Sequence, residues 1–142
     1  MVEEQFVVFH LGKEEYAVQI SQVKEIINYT EPTRMPASTD GMLGVINLRG
    51  KIVSIIDLGE KIGTGSQKEL KDKKIIIIDN GNESYGVIVD EVTEVIKLNK
   101  EHIEKVDSQI IKGNKYITGI AKKENRLMII IDLNLLTGED VL

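Results

Sequence analysis

The sequence contains an internal duplication, and this repeat limits the folds that the chain can adopt. An apolar run, a polar turn with a glycine and a second apolar run that includes a tyrosine follow one another over residues 6–27. The same order returns over residues 75–96, and the offset between Gly12 and Gly81 is 69 residues (81 − 12). We therefore expect two copies of one structural unit. Residues that differ between the copies are the first candidates for function.

Short β-strands separated by turn residues account for most of each copy. The apolar runs are rich in β-branched residues, and turn signals recur roughly every 8–12 residues, which is typical of a small barrel. Hairpins are predicted over residues 6–20, 43–58, 74–89 and 115–132, third strands over 23–27 and 92–98, and helical segments over 58–62, 101–111 and 133–136. The sequence thus predicts an all-β fold of two five-stranded SH3-like or OB-like small barrels, packed on each other, with short helical turns.

The two copies are expected to form two lobes, residues 1–66 and residues 67–142. This boundary is approximate and allows a strand to be exchanged between the lobes, since the linker-like stretch spans residues 59–73. The run of four isoleucines at 75–78 is continuously apolar, as are residues 129–131, which is typical of strands buried on both faces. One face would pack inside its own barrel and the other against the second lobe.

The composition excludes several functional classes. There is no cysteine, which removes disulfides, thiolate catalysis and cysteine zinc sites, and the two histidines, His10 and His102, are too few for a metal centre. We expect no metal and no cofactor. A net charge of −5 with 4% aromatic residues disfavours nucleic-acid binding. No apolar run approaches the roughly 20 residues that span a bilayer, and the acidic N-terminus is unlike a signal peptide. A cytoplasmic protein without direct membrane insertion is expected.

No catalytic constellation is visible in the sequence. Asp57 follows Gly44 by 13 residues (57 − 44), and Asp132 follows Gly119 by the same spacing (132 − 119). These aspartates therefore occupy equivalent positions in the two copies, where capping of a helical turn suits them better than joint catalysis. The chain also lacks a Gly-x-Ser-x-Gly elbow and a phosphate-binding loop. We therefore expect no enzymatic activity and name no catalytic residue.

The second hairpin turn is where the copies differ most. Its Asn47, Arg49 and Gly50 are replaced in the second copy by Lys122, Glu124 and Asn125. Because asparagine and glycine both suit a turn position with positive φ, the turn should persist while its chemistry changes. The Arg49 guanidinium offers five donors to carboxylates or carbonyls of a partner, although a solvated turn arginine is an equal alternative. The paired edge-strand glutamates, Glu25 and Glu94, either contact a partner or discourage strand pairing.

Five segments in order along the chain resemble one protein family. They are residues 6–16, residues 23–26, residues 44–58, residues 85–90 and residues 116–120. The third of these begins with the sequence Gly-Val-Ile-Asn-Leu-Arg-Gly. Together they resemble the CheW family of bacterial chemotaxis coupling proteins over nearly the whole chain. One departure is Ser54, where many members have proline.

The resemblance implies a non-catalytic scaffold that couples chemoreceptors (methyl-accepting chemotaxis proteins) to the CheA histidine kinase. The implied partners are the cytoplasmic helical hairpin tip of the receptor and the regulatory domain of the kinase. The protein would be recruited to membrane-associated chemoreceptor arrays. By resemblance, the receptor contacts fall in a groove between the lobes, at Val23, Glu25, Ile26, Gly44, Asn47 and Arg49, with Gly86 and Val87 on the other wall. The kinase contacts are not assigned to residues.

Two other functions compete with this one. The chain could be a CheW-like regulatory domain from a larger chemotaxis kinase or from a coupling protein with a receiver domain. Because it begins with methionine and ends just after the last expected strand, we expect a complete adaptor instead. A small-barrel nucleic-acid-binding module is the more remote alternative, since it would need a basic face and exposed aromatic residues.

Overall fold

The described part of the chain is mostly β-strand. A computed structural model describes residues 3–36, 42–63, 69–79, 81, 83–106 and 115–136. The strands are β1 (Glu4–Leu11), β2 (Glu14–Gln19), β3 (Val23–Asn28), β4 (Met42–Leu48), β5 (Lys51–Asp57), β6 (Lys74–Asp79), β7 (Ser84–Val89), β8 (Glu91–Leu98), β9 (Ile103–Lys105), β10 (Ile117–Lys123) and β11 (Arg126–Ile131). An α-helix, α1, spans Leu58–Ile62, and short 3₁₀ helices span Ile20–Gln22, Leu70–Asp72, Lys100–His102 and Leu133–Leu136.

The strands form two sheets that each combine both halves of the sequence. Sheet A has the order β8-β1-β2-β11-β10-β9, and sheet B has the order β3-β6-β7-β5-β4. The predicted all-β fold with two small barrels is confirmed. However, β1 and β2 pair with strands of the second half, and β6 and β7 pair with strands of the first. The sheets therefore do not coincide with the lobes predicted at 1–66 and 67–142.

Local elements agree with the sequence except in one place. The four predicted hairpins are present as β1–β2, β4–β5, β6–β7 and β10–β11. Asp57 caps α1, because its side chain accepts a hydrogen bond from the Glu60 amide at 3.2 Å. The helix predicted over 101–111 is wrong for its first part, since residues 103–105 pair with β10 as a strand. Residues 107–111 lie outside the described part of the chain.

The described residues form three apolar cores, of which one lies between the two sheets. One lies inside sheet A around Phe6 and Val8, and one lies inside sheet B around Ile75 and Ile77. The third is the interface core between the sheets, and it contains Val7, Phe9, Leu11, Tyr16, Val18, Ile56, Leu58, Ile76, Ile78, Tyr85, Val87, Val89, Tyr116, Ile131, Leu133 and Leu136. Because side chains alternate along a strand, β1 and β6 each serve an inner core and the interface core. The predicted two-sided burial of residues 75–78 is thereby confirmed.

A buried carboxylate connects the sheets where the chain passes from β7 to β8. Asp90 Oδ2 accepts a hydrogen bond from the Gly12 amide at 2.9 Å, and the Asp90 amide donates to the His10 carbonyl at 2.9 Å. Asp90 Oδ1 also lies 3.7 Å from the Lys73 ammonium, and both side chains are almost fully buried. Gly12 and His10 belong to the β1–β2 hairpin of sheet A, whereas Lys73 precedes β6 of sheet B. Asp90 therefore fastens one sheet to the other.

We predict that Asp90→Ala destabilises the protein by about 3 kcal/mol, because it leaves the Lys73 ammonium buried without its carboxylate. Urea unfolding followed by circular dichroism measures the change. Ser21 is the counterpart of Asp90 at the repeat offset (90 − 69) and is exposed, so Ser21→Ala is the matched control and should change stability by less than about 0.5 kcal/mol. Equal stabilities of the two variants would contradict a fastening role for Asp90.

A second pair of variants tests the packing of β7. A Cβ added at Gly86 would lie 2.8 Å from both Ile55 Cδ1 and Ile75 Cγ2, so Gly86→Ala should cost about 2 kcal/mol through overpacking. Ser84, two residues earlier, has a buried hydroxyl with no hydrogen-bond partner among the described residues. Ser84→Ala should therefore leave the unfolding free energy unchanged or raise it by up to about 1 kcal/mol. Thermal unfolding of both variants decides, and a stable Gly86→Ala protein would refute the packing argument.

Candidate functional site

The turn between β4 and β5 holds its two central residues in the left-handed region. Arg49 has φ 51° and Gly50 has φ 85°, which is the pattern of a type I′ hairpin turn. The side chain of Asn47 accepts a hydrogen bond from the Gly50 amide at 2.8 Å. In the second copy, Glu124 and Asn125 have φ 51° and 65°. The prediction that Asn125 takes the position of Gly50 and preserves the turn is confirmed.

An ion pair joins this turn to the opposite edge of sheet B. Arg49 Nη2 contacts Glu25 Oε2, and Glu25 lies on the edge strand β3, whereas β4 is the other edge strand of the sheet. The Arg49 side chain is 66% exposed, and an ion pair in such a setting contributes only about 0.5 kcal/mol to stability. Its consequence is therefore geometric: it orients an exposed guanidinium toward the β3 edge.

Five of the predicted receptor-contact residues are brought together by this ion pair. Val23, Glu25 and Ile26 follow one another on β3, while Asn47 and Arg49 belong to the β4–β5 hairpin. Ile26 is 41% exposed, whereas Val23 is half-buried and packs against the interface core. We name these five residues the turn–edge site. Because side chains alternate along β3, Ile26 lies on the opposite face of the strand from Glu25, so the site offers an apolar side chain on one side of this edge and the Arg49 cation on the other.

Gly44 allows two backbone segments of the chain to approach each other closely. It is buried with φ 153°, and an added Cβ would lie 2.1 Å from the Thr33 carbonyl oxygen. Thr33 pairs with Val45 through two backbone hydrogen bonds of 2.8 and 3.0 Å. Gly119 has the same function in the second copy, where the Glu104 carbonyl oxygen would be 2.9 Å from an added Cβ. The contact of Gly44 with a receptor, which the family resemblance implies, stays a prediction.

Gly86 and Val87, which the resemblance places on the other wall of the receptor groove, are both buried within the fold. Both lie on β7, which has β6 and β5 as neighbours and is buried along its whole length. The α-carbon of Gly86 faces the core of sheet B, and Val87 is fully buried in the interface core. The sequence already indicated this burial, because residues 85–89 form a continuous run without a charged residue, as strands buried on both faces do.

Sheet A has an arginine–glutamate cluster that was not predicted from the sequence. Arg126 Nη2 lies 2.7 Å from Glu15 Oε2 and 3.1 Å from Glu94 Oε2. These hydrogen bonds to two carboxylates raise the pKa of the Arg126 guanidinium above its ordinary value. Glu94 is the repeat counterpart of Glu25, so both edge glutamates pair with an arginine. The sequence did not show this, because Arg126 corresponds to Lys51 (126 − 75) and not to Arg49.

Exposed apolar side chains also occur in equivalent pairs. Ile26 and Val95, which are related by the 69-residue offset, are 41% and 49% exposed. Ile52 and Leu127, which are related by the 75-residue offset, are 62% and 64% exposed. Each sheet therefore exposes apolar side chains at equivalent positions.

The described ranges contain neither a cluster of metal-ligating side chains nor a helix that could span a membrane. No group of three His, Cys, Asp or Glu side chains there is placed to hold a metal ion. No helix in the same part of the chain is long and apolar enough to cross a membrane.

Glycine substitutions distinguish the two glycines of this hairpin. Gly44→Ala should destabilise the protein by about 3 kcal/mol, because the new Cβ would collide with the Thr33 carbonyl. Gly50→Asn introduces the residue that the second copy uses, and an added Cβ at Gly50 meets no described atom within 4 Å. Its cost should stay below about 1 kcal/mol. Thermal and urea unfolding measure both values, and comparable losses would show that the turn demands glycine at both positions.

Comparison with known proteins agrees with this arrangement. The family model of the CheW-like domain matches residues 5–140. Chemotaxis protein CheW of Bacillus subtilis is 37% identical over 132 residues, with 92% of this chain and 85% of the relative covered. Chemotaxis protein CheW of Klebsiella aerogenes is 34% identical over 142 residues, covering 99% and 86%. The crystal structure of scaffolding protein TtCheW from Thermoanaerobacter tengcongensis superposes with a TM-score of 0.86 at 35% identity, covering 97% and 90%. The chain belongs to the CheW family of chemotaxis scaffold proteins.

Proposed function

We propose that this protein is a non-catalytic scaffold that couples chemoreceptors to the CheA histidine kinase within membrane-associated receptor arrays. The observation that carries the proposal is the turn–edge site, in which an ion pair orients the exposed Arg49 beside the edge strand that bears Ile26. Family membership supplies the class of partner, and the site supplies a surface that suits one. No step of this function requires a reaction, a metal or a cofactor.

The receptor partner is the cytoplasmic tip of a helical hairpin. A helix that docks on a protein surface uses apolar anchors at its centre and polar contacts at its rim. A helix that lies across the exposed edge of β3 would meet Ile26 on one side of the strand and Arg49 on the other, where the guanidinium provides donors for a carboxylate or a free carbonyl. Because a guanidinium is a planar fork of donors, it would fix the rotation and register of the helix as well as attract it.

The kinase partner would use the remaining exposed apolar side chains. Ile52 in the first lobe and Leu127 in the second are the most exposed large apolar residues among those described. Their repeat relationship gives the two lobes similar contact surfaces, which suits a kinase regulatory domain that is itself built like this protein. Ile52 lies directly opposite Asn47 in the β4–β5 hairpin, so Leu127 on sheet A is the one of the two that leaves the turn–edge site free for a receptor.

Signalling through such a scaffold works by geometry. The interface core and the bridge through Asp90 hold the two sheets in one arrangement, so the receptor surface and the kinase surfaces keep a fixed relation. A receptor that changes its shape then changes the position of the bound kinase. A scaffold of this kind transmits a signal as far as its partners bind it differently in their two states.

We predict that Arg49→Glu abolishes binding to a receptor hairpin fragment while the fold is retained. The variant places two carboxylates together at the turn–edge site, but the position is exposed, so the unfolding free energy should change by less than about 1 kcal/mol. Co-sedimentation with the receptor fragment measures binding. Lys122→Glu, a charge reversal at the equivalent hairpin of the second lobe, is the matched control and should bind normally. Undiminished binding by Arg49→Glu would remove this turn from the receptor site.

A further inference from the structure

We propose that Asn47 is a positioning residue, which acts on a receptor through Arg49 and not by touching the receptor itself. Its side chain fixes the β4–β5 turn so that the Arg49 guanidinium stays at Glu25. This inference rests on the proposed function for its binding readout. It assigns to Asn47 a different role from the direct receptor contact that the family resemblance implies.

The first observation is where the Asn47 side chain points. Its Oδ1 accepts a hydrogen bond from the Gly50 amide at 2.8 Å and so closes a ring across the turn that contains Arg49. The carbonyl end of the Asn47 amide is therefore directed at the chain's own backbone. A side chain that is used in this way shapes the turn first, whatever lies outside it.

The second observation comes from the equivalent turn of the other copy. Glu124 and Asn125 adopt the same left-handed conformation, although Lys122, the counterpart of Asn47, has no side-chain acceptor. A type I′ turn between these strands thus forms without an amide at this position. The Asn47 hydrogen bond is therefore not required for the type of turn, and its effect lies in how firmly the turn is held.

The difference lies in the residues that Asn47 holds. Gly50 has more backbone freedom than Asn125, because glycine lacks a Cβ and populates both signs of φ readily. If Gly50 were free to change its backbone conformation, the preceding residue, Arg49, would move as well. The hydrogen bond from Gly50 to Asn47 removes that freedom at the one turn whose arginine reaches across the barrel to Glu25.

These contacts form a continuous series from Asn47 to Gly50, from the turn to Arg49, and from Arg49 to Glu25. Each contact is exposed and weak when taken alone. Together they order a long, flexible side chain before a partner arrives. A partner then binds more tightly because less conformational entropy is lost on association.

The binding test uses Asn47→Ala and Asn47→Asp, each with Arg49 present and with Arg49→Ala. With Arg49 present, Asn47→Ala should weaken binding of the receptor hairpin fragment about five-fold in isothermal titration calorimetry. Asn47→Asp should stay within about two-fold, because its carboxylate can accept the same hydrogen bond. In the Arg49→Ala background, Asn47→Ala should cause no further loss. A five-fold loss that persists in that background would mean direct contact and would overturn the inference.

A second measurement does not depend on the receptor. Nitrogen-15 relaxation of the Arg49 Nε–H group should show greater side-chain mobility in Asn47→Ala but not in Asn47→Asp or in the control Lys122→Ala. Unchanged mobility in Asn47→Ala overturns the positioning role. If Arg49→Ala itself leaves receptor binding intact, the proposed receptor site fails, while the relaxation data still decide the role of Asn47.

Discussion

The apolar core between the two sheets is the constraint on which the rest of the structure depends. The strands that contribute side chains to this core also contribute side chains to the inside of a barrel. Val7 and Phe9 of β1 belong to the interface core, while Phe6 and Val8 pack within sheet A. A shift of one residue in register would exchange these two sets. The stacked pair of Phe9 and Tyr16, with ring centroids 5.7 Å apart, adds a cross-strand contact that fixes the register of β1 on β2.

The chain passes between the sheets at two places, and polar side chains fasten both. After β2, Gln22 donates to Asp132 at 3.1 Å and accepts from the Leu133 amide at 2.9 Å. After β7, Asp90 makes the corresponding connection. Because β3 begins directly after the first passage, the edge strand that carries Glu25 is held against sheet A at its start. One strand of the turn–edge site therefore begins at a junction between the sheets that hydrogen bonds hold in place.

The sequence predicts local structure well and long-range pairing poorly, for a physical reason. Apolar runs and turn glycines define each hairpin within about 20 residues of chain. The parallel pairings of β2 with β11 and of β5 with β7 join residues far apart in sequence, and no local pattern encodes them. This is why the two sheets do not follow the two halves of the sequence. The burial of Gly86 and Val87 has the same origin, since β7 becomes a central strand only when β5 pairs with it.

The duplication identifies candidate residues, but the pairing of charges decides which copy has capacity left for a partner. Both edge glutamates meet an arginine, yet the two arginines differ in position. Arg126 begins a strand and divides its donors between Glu15 and Glu94, and its side chain is 35% exposed. Arg49 sits at the centre of a turn, contacts Glu25 through Nη2 and is 66% exposed. In the first arrangement the guanidinium makes three side-chain hydrogen bonds within the fold, whereas the more exposed guanidinium of the second leaves more donors facing solvent. The equivalent hairpins thus differ in how much of a guanidinium they expose, because Arg49 stands two residues earlier in its hairpin than Arg126 does in its own.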